Sequence, residues 1–270
     1  MSRHRARAAV LRLALAAALL AGAGCADGTS GAGGQVSTVR VAAAADLKFA
    51  LDEVADALAA ADPPVRVETT YGSSGTFYQQ IRNGAPFDVY LSADMSYPES
   101  LVEAGMAEEA DLFPYAVGRL VVWAPGGSPA DTSAGLAGLT DPAVRRVAIA
   151  NPQHAPYGQA AVAAMTSTGV YEAVRDKLVL GENVAQAGEF AASGNAQVAV
   201  IALSLVRSTP LEQEGDYTEV PLELFPRLDQ GGVVLATAAD REAAERLRDF
   251  LTGPDGVAIL ETYGFYLPGG

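Results

Sequence analysis

The sequence predicts an α/β fold with mainly parallel sheets, on three observations. Short apolar runs rich in Val and Ala alternate with segments whose apolar residues recur at three- and four-residue steps. Small polar or turn-forming residues punctuate the two kinds of segment. No period of ~20–50 residues repeats, which excludes a solenoid. At 270 residues, 50% hydrophobic and 19% charged, the chain has room for one large domain or two modest ones.

The elements follow in order. Val39-Arg40-Val41 opens a strand. Leu47, Leu51, Val54, Ala55 and Leu58 then form one helix face, with Asp46 placed to cap it. Val65-Arg66-Val67 is a strand, and Ser73-Ser74 precede a helix carrying Phe77 and Ile81. Phe87 to Leu91 is a strand, followed by a helix near Ser96 to Glu103. Leu120 to Trp123 is a strand that Pro125 ends, and Val147 to Ala150 is another. A helix is expected from about Gly158 to Thr168, and a further one after Val184. Strands at Gln197 to Ile201 and Val233 to Ala236 follow. Asp240 caps a helix with Ala243, Ala244, Leu247, Phe250 and Leu251 inward, and Gly253-Pro254 separates it from a last helix.

The N-terminus reads as a secretory signal over residues 1–24. Met1 to Arg12 is basic, Leu11 to Leu20 is nearly unbroken Leu and Ala, and Ala21-Gly22-Ala23-Gly24 provides a small-residue exit. The apolar run falls short of the ~20 residues that a membrane span needs. Cys25, the single cysteine, stands directly after those small residues, as in a bacterial lipobox, and is the expected lipidation site. A plain secreted protein with a spare thiol is the simpler reading of that cysteine. No disulfide is possible with one cysteine. Residues 25–37, mostly Gly, Ser and Thr, read as a flexible tether.

Net charge is −14. Loss of Arg3, Arg5, Arg7 and Arg12 with the leader leaves 14 basic against 32 acidic residues, net −18. Such a body repels nucleic acid and anionic lipid. Any anion it binds must therefore be held by short-range donors. Enzyme signatures are few: beyond the leader there is one histidine, His154, and no zinc-type Cys/His set, Walker loop, G-x-S-x-G or G-x-G-x-x-G motif. No cofactor and no metal site is expected. A serine hydrolase built on His154 remains the alternative from the enzyme class. A different pattern recurs instead. Asp46 and Ser73-Ser74 stand between a strand and a helix, and Tyr157-Gly158 and Asn183-Val184 stand at later helix starts. Helix N-termini carry unpaired N–H groups and partial positive charge, so several converging on one cleft make an anion site without Lys or Arg.

Five segments carry a resemblance to a known family. They are Val41-Ala42-Ala43-Ala44-Ala45-Asp46-Leu47, Tyr71 to Thr76 (YGSSGT), Gly84 to Asp94 (GAPFDVYLSAD), Asn151 to Gly158 (NPQHAPYG), and Gly253-Pro254 through Tyr263-Gly264-Phe265. Taken in order across nearly the whole mature chain, they resemble the periplasmic molybdate-binding proteins of ABC importers. The resemblance implies a two-lobed periplasmic-binding-protein fold (type II) with two crossovers, expected near Gly118 and Gln230. Lobe I would then comprise residues 38–118 plus 230–270, and lobe II residues 119–229. It implies capture of a tetrahedral oxyanion, molybdate or tungstate, between the lobes by a monomer that delivers it to a membrane permease. Ser74 matches a ligand serine, and Tyr157 and Val184 match backbone amide donors. Asp46 stands where the family usually has serine or another neutral donor, and Ala202 where many members have a ligand tyrosine. Asp46 therefore has three readings: a cap turned away and paired with Lys48, a protonated carboxyl, or an acceptor for a ligand that still carries a proton. The last would retune the scaffold for an oxyanion of the phosphate or arsenate type. Tyr157 OH, Thr76, Tyr71 and Asn183 are the candidate donors to replace the missing tyrosine.

Overall fold

The computed structural model describes residues 36–268. The expected signal segment, Cys25 and nearly all of the tether lie outside these residues. Ser37, counted above with the tether, opens the first strand.

Two five-stranded sheets build the molecule. The first contains β1 (Ser37–Ala44), β2 (Val65–Gly72), β3 (Val89–Ser92), β4 (Leu112–Gly118) and β10 (Leu228–Val234), in the order β2-β1-β3-β10-β4. The second contains β5 (Leu120–Pro125), β6 (Val147–Ala150), β7 (Leu178–Gly181), β8 (Val198–Ala202) and β9 (Gly215–Glu219), in the order β7-β6-β8-β5-β9. Only Arg119 separates β4 from β5, so the chain passes from one sheet to the other there, and it returns between β9 and β10.

The sheets are mixed rather than mainly parallel. In the first, β1 pairs in parallel with β2 and β3, while β10 runs antiparallel to β3 and β4. The second repeats this, with β6 parallel to β7 and β8 but β5 antiparallel to β8 and β9. The reason is topological. Parallel pairs come from β-α-β units, whereas the strands next to each sheet-to-sheet passage arrive from the other side.

Helices cover the faces where apolar periodicity places them. α1 (Lys48–Ala59) buries Ala50, Leu51, Val54 and Leu58, and α8 (Arg241–Thr252) buries Ala243, Ala244, Leu247 and Leu251. With Leu260 of α9 (Pro254–Thr262), these side chains share one core with Val39, Val41 and Val89 of the first sheet. Asp240 caps α8 by accepting from the Ala243 N–H at 3.0 Å. Trp123 is fully buried in the second sheet, and its Nε1–H donates to the Leu211 carbonyl at 3.0 Å.

Three strands carry too little sequence signal to be expected. β4 contains Pro114, which argues against a strand. It is tolerated because β4 is an edge strand whose ladder with β10 shifts register beside it, between Gln230 and Gly231. β7 and β9 are short edge strands; β9 is exposed or half-buried throughout and β7 is buried only at Gly181, so neither shows a buried apolar run.

Candidate functional site

β1, β2, β6 and β8 end in small residues (Ala44, Gly72, Ala150, Ala202), and helices begin just beyond several of these ends. In open α/β sheets ligands collect at such strand ends. Here the ends of β1 and β2 in the first sheet and the segments that follow β6 and β7 in the second border one cavity. Its lining includes Asp46, Ser74, Tyr157 and Val184, all four residues singled out from the sequence, with Ala44, Ala45, Ala93 and Ala155 as small-residue walls. The cavity is small, with room for about one water.

Three helix starts meet at this cavity. Ser74 is the first residue of α2 (Ser74–Arg82), Tyr157 the second of α4 (Pro156–Ser167), and Val184 the first of α6 (Val184–Ala192). Their N–H groups have no partner within the helix, and none finds one elsewhere among the described residues. Ser73 and Asn183 cap α2 and α6, and Pro156 at the start of α4 lacks an N–H to offer. Ser74 adds a hydroxyl. Its Oγ accepts from the Ala93 N–H at 3.0 Å, which leaves the hydroxyl proton for an acceptor in the cavity. No Lys, Arg or His lines the cavity. The arrangement suits a compact anion held by oriented neutral donors.

Asp46 is not a cap. The 3-10 turn at Ala45–Leu47 and the helix after it have no side-chain cap, and Lys48 Nζ lies over the Phe49 ring instead of pairing with the carboxylate. The Asp46 carboxylate is 1% exposed, and its Oδ2 accepts from Gln230 Nε2 at 2.6 Å. Oδ1 is buried with no hydrogen-bond partner. Burial pushes the Asp46 pKa up to about 6, against the opposing pull of Gln230, the Tyr157 hydroxyl and nearby amides.

The other candidate donors are committed. Tyr71 OH donates to Asp52 at 2.6 Å, Thr76 Oγ1 donates to Glu182 at 3.1 Å, and Asn183 Oδ1 caps α6. The Tyr157 hydroxyl accepts from Gln230 Nε2 at 3.2 Å beside Asp46. Burial first, and then the Asp46 charge, hold that phenol far above its ordinary pKa, so it stays protonated. Ala202 is fully buried, and just past it Ser204 donates its hydroxyl to the Asp46 carbonyl at 2.7 Å. Gln230, Ser204 and Tyr115, whose OH donates to Gln230 Oε1 at 3.0 Å, are site-supporting residues that the sequence alone does not reveal.

A larger groove of about 790 Å3, bordered by Val117, Leu222 and Tyr266, shares no residue with the cavity. Its charged members are Arg227, Glu223 and Glu261. Among the described residues, no cluster of three His, Cys, Asp or Glu side chains stands ready to hold a metal ion.

Known proteins share this architecture. The family of bacterial extracellular solute-binding proteins matches residues 39–266. A molybdate-binding protein of Azotobacter vinelandii is 38% identical over 233 residues, covering 86% of this chain and 91% of the relative. The chain belongs to the periplasmic molybdate-binding protein family. A second family member, from Rhodobacter capsulatus, is 43% identical over 199 residues, 74% of this chain and 77% of the relative. The solved periplasmic molybdate-binding protein of Azotobacter vinelandii superposes with a TM-score of 0.79 at 32% identity, over 85% of this chain and 99% of that one. The family fold is the two-lobed periplasmic-binding-protein fold described above. These family members are binding proteins, and this chain is likewise not an enzyme.

Proposed function

We propose that this chain captures molybdate, and tungstate with it, between its two lobes and presents the closed complex to the permease of an ABC importer. The observation that carries the reading is the meeting of three unpaired helix-start amides and the Ser74 hydroxyl at one cavity without a cationic side chain. The names of the two relatives supply the ligand. In this reading lobe I comprises residues 38–118 with 230–270, lobe II residues 119–229, and the protein works as a monomer. Cys25 is the lipid-bearing residue that holds it at the outer face of a membrane.

A thermal-shift panel on the full chain tests the ligand. Molybdate or tungstate at ~100 times its Kd should stabilise by ~2.7 kcal/mol, a rise of roughly 5–10 °C for a body of this size. Sulfate should give little. The second reading is a protonated oxyanion of the phosphate or arsenate type, and the buried, unpartnered Asp46 Oδ1 favours it as a waiting acceptor. A melt that phosphate or arsenate shifts and molybdate does not would replace the first reading by the second.

A further inference from the structure

At the rim of the cleft a second set of contacts joins the lobes, and of its members only Ser73 also lines the cavity. The start of α2, on the first sheet's side, meets two loops of the second sheet's side, one after β6 and one after β7. The Gly75 N–H donates to the His154 carbonyl at 2.9 Å. His154 Nδ1 lies 2.6 Å from Ser73 Oγ, and His154 Nε2 lies 3.6 Å from Glu182 Oε2. Thr76 Oγ1 closes the set by donating to Glu182 Oε1 at 3.1 Å. The approach is tight: a Cβ on Gly75 would stand 2.7 Å from the His154 carbonyl oxygen.

We infer that His154 and Glu182 form a closure latch, a pair of positioning residues that hold the lobes shut and set how long the ligand stays. Neither residue lines the cavity, so neither is needed to recognise the ligand. Both make their contacts to α2 across the cleft, so those contacts exist only while the lobes are closed. An interaction confined to the closed state shifts the open–closed equilibrium by its own free energy. Its loss speeds ligand escape and leaves the encounter with the open cleft unchanged. The Ser73, His154 and Glu182 side chains resemble a hydrolytic triad only in composition. Ser73 is buried, its Oγ also accepts the α2 capping bond from the Thr76 N–H, and the family binds rather than cleaves.

The latch rests on the proposed closing of the lobes around an oxyanion, and the test separates the two. Dissociation of radiolabelled molybdate from the full chain is followed by rapid filtration after an unlabelled chase, for the parent, His154→Ala and Glu182→Ala. Loss of one or two interlobe hydrogen bonds predicts roughly 3- to 10-fold faster dissociation, with association within about twofold of the parent. Dissociation unchanged in both variants overturns the latch. Glu182, with its side chain 58% exposed, tolerates truncation if the histidine variant folds poorly. Hydrogen exchange at the Gly75 amide gives a readout that needs no ligand. If the parent fails to retain molybdate, the ligand reading falls, and exchange in the free protein decides the latch. Faster exchange in His154→Ala than in the parent supports it, and equal exchange overturns it.

Discussion

Gln230 Nε2 donates to Asp46 Oδ2 across 2.6 Å, joining the strand that re-enters the first sheet to the turn that follows its first strand. The same Nε2 donates to the Tyr157 hydroxyl from the other sheet's side, and Gln230 Oε1 accepts from Tyr115. One amide side chain therefore organises a buried polar chain at the root of the cleft. It also decides where a proton goes on Asp46. Oδ2 already receives an N–H, so a proton taken up by this carboxyl sits on Oδ1, the oxygen without a partner.

Asp46 makes stability depend on pH in an unusual direction. Its pKa rises on folding from 3.8 to about 6, with burial the leading cause. The folded state thus binds the proton more tightly than the unfolded state does. The contribution of Asp46 to stability is complete below about pH 4, declines as pH rises through 6, and is spent near pH 7. Two pKa units correspond to about 3 kcal/mol. Asp46→Asn should remove this decline. Urea unfolding of parent and variant at pH 4 to 7.5 checks it, because the other carboxylates cancel in the difference. A difference that does not vary with pH would mean that Asp46 ionises as freely in the fold as outside it.

A dianion beside Asp46 raises the same pKa further, so binding takes up a proton. Molybdate affinity should fall as pH rises above about 6, by up to tenfold per unit. Asp46→Ser should flatten that slope and tighten binding at pH 7.5 by roughly tenfold or more, since unit charges 4 Å apart repel by about 4 kcal/mol at an effective dielectric of 20. Calorimetric titration across pH measures both. Unchanged affinity and slope in the variant would place the Asp46 charge outside the ligand's field.

Ser74→Ala should separate recognition from folding. The substitution leaves the buried Ala93 N–H without its acceptor, at a cost of about 1–3 kcal/mol in urea unfolding. It also removes the hydroxyl offered to the ligand, and a hydrogen bond to a charged group is worth about 1.5–3 kcal/mol, or roughly 10- to 150-fold in Kd. Loss of stability with full molybdate affinity would confine Ser74 to a structural role.

How much of this was legible in the sequence follows from the range of each interaction. Ser73, Asn183 and Asp240 cap helices three residues away, and such local bonds leave a local signature. Ser74 and Tyr157 lie within the family motifs, and Val184 directly follows the Asn183 cap. Asp46 looked like another cap, but its partner lies 184 positions along the chain, and no local pattern announces such a bond. Gln230, Ser204 and His154 are likewise defined by what stands opposite them in the closed cleft. β4, β7 and β9 were hidden for local reasons: Pro114 interrupts β4, and β7 and β9 are short edge strands with few buried residues.

Gly75→Ala sets local helix preference against closure. Gly75 lies in the first turn of α2, where alanine is the better helix former by up to about 1 kcal/mol. The open protein should therefore keep or slightly raise its melting temperature. In the closed form the new Cβ meets the His154 carbonyl oxygen at 2.7 Å and the His154 Cα at 3.0 Å. The Tyr97 hydroxyl, 2.9 Å from the same Cβ, belongs to the same lobe as Gly75 and can rotate aside, whereas the two His154 atoms are backbone of the opposite lobe, so the lobes must part to relieve that contact. Molybdate affinity should drop by roughly tenfold or more while the ligand-free melt is unchanged or higher. Titration calorimetry and a ligand-free thermal melt of the same preparation measure the two effects. If affinity is retained, the ligand is bound without the approach of α2 to His154, and closure at this rim is not part of capture.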